Sequence, residues 1–211
     1  MKEKIILFTR VPKEGTTKTR LYDFMSPTEA VNIQKKLLKK NYDLLAETNR
    51  ELLVFHDGNS SDNKGMSELI SCDKFYYQKG DNLGDKMYNA LEEVIWDSKV
   101  ILLGSDIFNL DKDIIEEAFE KLKTHDVVIN PSEDGGYFLI GMKKAIKEIF
   151  DLPSYGDSSV LENLIKVLEK NNLTYYLGRA ALDIDIKEDL LYAETGYKNI
   201  KLLGAGEYNI N

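Results

Sequence analysis

Residues 100–130 run Val100-Ile-Leu-Leu-Gly-Ser-Asp106, Ile107-Phe-Asn-Leu110, Asp111-Lys-Asp-Ile-Ile-Glu-Glu-Ala-Phe-Glu-Lys-Leu122, Lys123-Thr-His125 and Asp126-Val-Val-Ile-Asn130. The apolar run Lys99–Gly104 shows no alternation, which is the pattern of a strand covered on both faces. Asp111 can cap a helix on which Ile114, Ile115, Ala118, Phe119 and Leu122 share one face. Asp126–Asn130 is then a second apolar strand. Strand, helix, strand is the unit of an α/β domain with a mainly parallel central sheet flanked by helices.

The alternation extends both ways. Further strands are expected at Lys4–Thr9, Glu51–His56, Lys74–Gln78, Tyr137–Met142 and Leu173–Leu177. Ser26-Pro27-Thr28-Glu29 combines an N-cap serine, a proline at the first helical position and a capping-box glutamate, so a helix is expected over 27–48. Asp81 opens another, with Leu83, Met87, Leu91 and Val94 inward. Ser158 or Ser159 caps a further one, with Leu161, Leu164, Ile165 and Leu168 inward, and Lys187–Glu194 makes a short last helix. The polar run Asp57–Gly65 reads as a surface loop, and the tail Gly204–Asn211 carries no assignment. A length of 211 residues suits one domain spanning 1–211.

Composition narrows the function. With 43% hydrophobic and 30% charged residues the chain can bury a core under a charged surface, which argues against disorder. No apolar run approaches the ~20 residues of a membrane span, and Met1-Lys2-Glu3-Lys4 leads directly into Ile5–Phe8, so a cytoplasmic protein without membrane insertion is expected. A single cysteine, Cys72, and two histidines exclude an internal disulfide and the usual zinc sites, so any metal would be held by carboxylates. The net charge of −8 argues against nucleic acid as partner. Arg10, Lys13, Lys18 and Arg20 nevertheless cluster within residues 10–20, against the single acid Glu14.

In open parallel sheets ligands bind beyond the carboxyl ends of the strands, and four such stretches stand out. In the loop after the first strand, Gly15 permits close backbone approach, Lys18 and Arg20 suit phosphate oxygens, and Thr16, Thr17 and Thr19 add hydroxyls. It lacks the glycine pattern of a P-loop, and the alternative reading is a solvated loop. Asp106, after its apolar strand, is either a ligand for a hard divalent cation or a turn cap. Asn130-Pro-Ser-Glu-Asp134-Gly135-Gly136-Tyr137 is either a hairpin turn or a place where Asp134 acts as base beside Tyr137. In Asp183-Ile-Asp185, alternation would let at most one carboxylate face the crevice, and Asp185 is the better second metal ligand, with Asp189 serving the start of the last helix. His56 and Cys72 show no partners for a nucleophilic triad.

Taken in order, Arg10–Leu21, Gln78–Met87, Leu103-Gly-Ser-Asp106, Pro131–Gly141 and Asp183–Leu190 resemble a known family. These are the small transferases of the GT-A, nucleotide-diphospho-sugar transferase fold, labelled radical-SAM/selenodomain-associated transferase 1 or arsenosugar-biosynthesis glycosyltransferase. The resemblance covers residues 4 to about 193. Arg10 stands where the family usually has lysine and Lys86 where it has arginine, so charge is kept at both.

The resemblance implies a metal-dependent glycosyltransferase moving a sugar from a nucleotide-diphosphate donor to a small-molecule acceptor. Arg10, Gly15, Lys18, Arg20 and Lys86 would bind the nucleotide phosphates, and Asp106 and Asp185 would hold Mg²⁺ or Mn²⁺. Asp134 would be the base, with Gly135, Gly136 and Tyr137 forming the acceptor pocket. Molybdenum-cofactor guanylyltransferases and phospholactate guanylyltransferases share this layout, so nucleotidyl transfer from an NTP is the competing reading. A non-catalytic nucleotide-binding protein is the third.

Overall fold

A computed structural model describes residues 1–195; the tail Gly204–Asn211 lies outside the described residues. In chain order the elements are β1 (Lys2–Thr9), α1 (Pro27–Ala46), β2 (Glu51–His56), α2 (Asn63–Leu69), β3 (Phe75–Tyr77), α3 (Leu83–Val94), β4 (Ser98–Gly104), α4 (Lys112–Lys121), β5 (Val127–Pro131), β6 (Tyr137–Met142), α5 (Val160–Lys170), β7 (Tyr175–Leu177) and α6 (Lys187–Thr195). Short 3₁₀ turns occupy Thr19–Leu21 and Lys147–Phe150.

The strands form one seven-stranded sheet in the order β3-β2-β1-β4-β6-β5-β7. All neighbours run parallel except β6, which is antiparallel to both β4 and β5. The expected α/β architecture with a mainly parallel sheet is the observed one. Unalternated apolar strands have their cause here. Ile5 and Leu7 of β1 meet Leu38 and Leu45 of α1 and Ile115 and Phe119 of α4 on one face. Ile6 and Phe8 meet Met87 and Leu91 of α3 and Leu164 of α5 on the other. Burying a Leu- or Ile-sized side chain contributes about 1.5–3 kcal/mol, so a polar residue at Ile5, Ile6 or Leu7, all fully buried, would disrupt the sheet centre.

Local signals set the helix starts. Ser26 and Glu29 form a reciprocal capping box ahead of Pro27. Asp111 Oδ1 accepts from Ile114 N at 2.9 Å. The cap of α3 is Asn82 rather than Asp81, its Oδ1 accepting from Asp85 N at 2.9 Å. Ser159 precedes α5 without capping it, since its hydroxyl is bound to Asp157.

The stretch expected as loop, Asp57–Gly65, in fact contains the start of α2. Gly65 inside the helix and the occupied carboxylate of Asp62, which binds Lys13 Nζ at 2.6 Å, hide its start from sequence. Tertiary burial of Met66, 1% exposed, stabilises α2. No described helix is long and apolar enough to cross a membrane.

Candidate functional site

Parallel pairing of β1 with β4 puts Phe8 opposite Gly104, so the chain after Thr9 leaves the sheet beside Ser105 and Asp106. Helix α1 fixes that corner. Asn41 Nδ2 donates to the carbonyls of Ser105 and Ile107, while Gln34 Nε2 donates to Ser105 Oγ at 3.0 Å and to Asp106 Oδ1 at 2.7 Å. Ser105 Oγ also lies 2.8 Å from Thr9 Oγ1 and donates to Asp106 Oδ1. Asp106 is therefore held from several sides, and it caps no helix.

The basic loop folds back over this corner. Its turn closes with Thr17 N donating to the Lys13 carbonyl and Thr17 Oγ1 accepting from Lys13 N. Gly15 takes φ 81°, a left-handed conformation that glycine adopts without strain. Leu21, fully buried against Ile33 and Leu37, anchors the loop's far end. Lys18, also left-handed at φ 51°, is thereby aimed inward with a side chain only 2% exposed. Its Nζ lies 2.5 Å from Asp106 Oδ2 and 3.9 Å from Asp185 Oδ1, and Arg20 Nη1 lies 2.6 Å from Asp185 Oδ2.

Three adjoining cavities surround this corner. A polar one of about 340 Å³ is lined by Arg10, Thr17, Lys18, Arg20, Gln34, Asp106 and Asp185 among others. A largely apolar one of about 270 Å³ shares Arg10 and Asp106 with it and is floored by Phe8, Leu83, Met87 and Leu102. At its edge Gln78 Nε2 donates to the carbonyls of Thr9 and Phe55, which fixes the carboxamide. A third, of about 180 Å³, lies beyond Tyr137 and is bordered by Asp134, Gly136, Tyr155, Asp157 and Asp183.

Charges in the site respond to these neighbours. Burial raises the Asp106 carboxyl, but the Lys18 ammonium, aided by Gln34 and Ser105, outweighs it and holds the group below the ordinary carboxylate value. Asp183 is pushed up to about 6, first by burial and then by the Asp134 carboxylate. Burial also raises the phenol of Tyr137 well above its usual value and that of Tyr155 to about 12, so both stay neutral.

Arg10, Lys18, Arg20, Asp106 and Asp185 thus come together, while Asp134, Gly136 and Tyr137 border the third cavity. Gly15 shapes the basic turn, donating its N–H to Tyr22 Oη, and is not among the residues bordering these cavities. Gly135 is pressed against Ser158, where a Cβ would lie 2.4 Å from the carbonyl oxygen. Lys86, on α3, borders none of the three cavities. The Asp134 stretch does form a hairpin turn, Asp134 Oδ1 accepting from Ser132 Oγ and Gly136 N. The expectation that only one of Asp183 and Asp185 reaches the crevice is corrected. The segment runs along the mouth, so alternation sends Asp185 to the polar cavity and Asp183 to the other two. Sequence reading missed Gln34 and Tyr155, which stand on helix and loop positions with no motif signal, and gave no role to Gln78, although it opens the Gln78–Met87 motif.

A divalent cation suits the donor set at Asp106 and Asp185. Two carboxylates flank a position already filled by a cation, the Lys18 ammonium, and Mg²⁺ needs only one or two carboxylates beside phosphates and water. No group of three or more His, Cys, Asp or Glu spaced to hold a metal occurs among the described residues.

Residues 40–157 match the family described as "Uncharacterized protein conserved in bacteria (DUF2064)". The 2-phospho-L-lactate guanylyltransferase of Methanocaldococcus jannaschii is 30% identical over 200 residues, covering 90% of this chain and 81% of its own. A crystal structure of a candidate nucleotide-diphospho-sugar transferase from Desulfovibrio desulfuricans G20 superposes with a TM-score of 0.86 at 26% identity, covering 94% of this chain and 89% of that one. A cytidylyltransferase from Leptospira borgpetersenii shares the fold, with a TM-score of 0.57 at 16% identity over 93% of this chain and 87% of its own.

These relatives support a transferase on the nucleotide-diphospho-sugar transferase fold and correct the expected chemistry. Glycosyl transfer is overturned by the guanylyltransferase relatives, which match along nearly the whole chain. The physical reason is that both reactions hold a nucleotide by its phosphates, so basic-loop and carboxylate motifs look alike for the two.

Proposed function

The chain belongs to the DUF2064 family, and on that premise we propose that it is a nucleotidylyltransferase, moving a nucleoside monophosphate from an NTP to a phosphorylated small molecule. The guanylyltransferase relatives, matched over 90% of this chain, carry the choice of an NTP, and the cavities accommodate a nucleotide. A basic cavity sized for a polyphosphate opens, through the shared residues Arg10 and Asp106, into an apolar cavity suited to a flat base.

Lys18, Arg20 and Arg10 hold the phosphate oxygens, and the fixed carboxamide of Gln78 meets the base edge. GTP is the first donor to examine, because the relatives transfer guanylyl groups. Asp106 and Asp185 would hold Mg²⁺ or Mn²⁺, which supplies charge neutralisation of the triphosphate and of departing pyrophosphate. A phosphate oxygen of the acceptor attacks the α-phosphorus, and the α–β bridging bond breaks with its electron pair leaving on pyrophosphate. A phosphomonoester is already ionised near neutral pH, so Asp134 is not required as a base and serves instead as a wall of the acceptor cavity. The chain acts as one catalytic unit.

Thermal melting with Mn²⁺ against NTPs and NDP-sugars tests the reading. Native-state binding at 100-fold over Kd stabilises by about 2.7 kcal/mol. GTP or another NTP is expected to raise Tm more than any NDP-sugar, and the reverse order would sink the proposal.

A further inference from the structure

Resting on the nucleotidyl-transfer reading, we propose that the acceptor is a phosphomonoester bearing an ammonium group at its far end, in contrast to the carboxylate-bearing phospholactate of the relatives' name. The acceptor cavity is located by its geometry. It shares Leu83, Met87, Tyr137 and Asp183 with the apolar cavity, so its occupant is continuous with the donor.

Charge then selects the occupant. The cavity is bordered by Asp134, Asp157 and Asp183 and by no Lys, Arg or His, whereas Arg10, Lys18 and Arg20 border the polar cavity. Asp157 is satisfied by Ser154 and Ser159, and one oxygen of Asp134 by Ser132 and Gly136. Asp183 has no ion-pair partner among the described residues. Two neutral phenol rings, Tyr137 and Tyr155, complete the wall, and aromatic faces attract ammonium ions. A dipolar acceptor fits both ends, with its phosphate toward the cations and its ammonium toward Asp183 and the tyrosines. A carboxylate in that place would face carboxylates, a juxtaposition that costs several kcal/mol.

The step is balanced without further reactants. The acceptor's phosphate oxygen forms one bond to the α-phosphorus, the α–β bond breaks, and pyrophosphate leaves with the electron pair, giving a diphosphate ester.

Two acceptor sets offered to the whole chain with GTP or CTP and Mg²⁺ test this, with pyrophosphate release as readout. One set is O-phosphoethanolamine and phosphocholine; the other is phosphoglycolate and 2-phospho-L-lactate. The amine set should have kcat/KM about tenfold or more above the carboxylate set, and Asp183→Asn should shrink that ratio while its melting curve shows it folded. Equal or better use of the carboxylates overturns this inference and leaves nucleotidyl transfer standing. If NTPs bind but neither set is turned over, the inference is likewise overturned. If no NTP binds, nucleotidyl transfer itself fails.

Discussion

Replacing Lys18 with methionine keeps the stem and removes the one ammonium between Asp106 and Asp185. In the native chain that ammonium is 2.5 Å from Asp106 Oδ2 on a side chain 2% exposed. Breaking a fully buried pair this way costs about 3–5 kcal/mol. Asp106 is 37% exposed on its side chain, and Gln34 and Ser105 still donate to it, so solvent screening lowers the expected loss to about 1–3 kcal/mol.

The sign with pH follows from Asp106. Its folded pKa lies below the ordinary value because of Lys18, so the pair's stabilisation is present above the unfolded pKa and is lost as pH falls through the folded one. Urea unfolding should therefore show the full deficit of Lys18→Met at pH 7 and a smaller one at pH 3, below the ordinary carboxylate value. In a double-mutant cycle with Asp106→Asn the losses should not add, because the pair is in contact. Mn²⁺ should restore more stability to Lys18→Met than it adds to the native protein. Equal deficits at both pH values, or additive losses, would refute the pairing as the source of the effect.

Asp183→Asn tests the opposite sign. A carboxyl raised to about 6 in the folded state favours folding while protonated, and that contribution is lost as pH rises through about 6. The variant should exceed the native protein by about 1–3 kcal/mol in urea melts at pH 8, with the gap closing by pH 4; a constant gap would contradict the assigned environment. Gly84→Ala should lose about 1–3 kcal/mol in thermal melts, because the new Cβ would sit 2.2 Å from the Phe150 carbonyl oxygen. Gly65→Ala, inside α2 with nothing within 4 Å of its Cβ, should gain up to about 1 kcal/mol.

Much of the fold was legible because its signals are local. Ser26-Pro27-Thr28-Glu29 and Asp111 each carry their own capping chemistry, and the unalternated strands reflect helices on both faces. Helix α2 was illegible because burial of Met66, a tertiary event, stabilises it. At the site, Arg10, Lys18, Arg20, Asp106 and Asp185 follow strand ends, where position alone predicts proximity. Gln34 reaches Asp106 from the third turn of α1, across 72 residues of chain, and nothing in its neighbours announces that. The reaction was misread for a chemical reason, since the same phosphate-binding residues serve both nucleotide-sugars and NTPs.

Phosphorus NMR of the reaction mixture tests the central claim most directly. The full chain would be incubated with Mg²⁺, an NTP and a phosphomonoester acceptor. Nucleotidyl transfer predicts pyrophosphate and a new diphosphate ester appearing in equal amounts. Unchanged NTP under these conditions, together with release of NDP from a nucleotide-sugar, would contradict it.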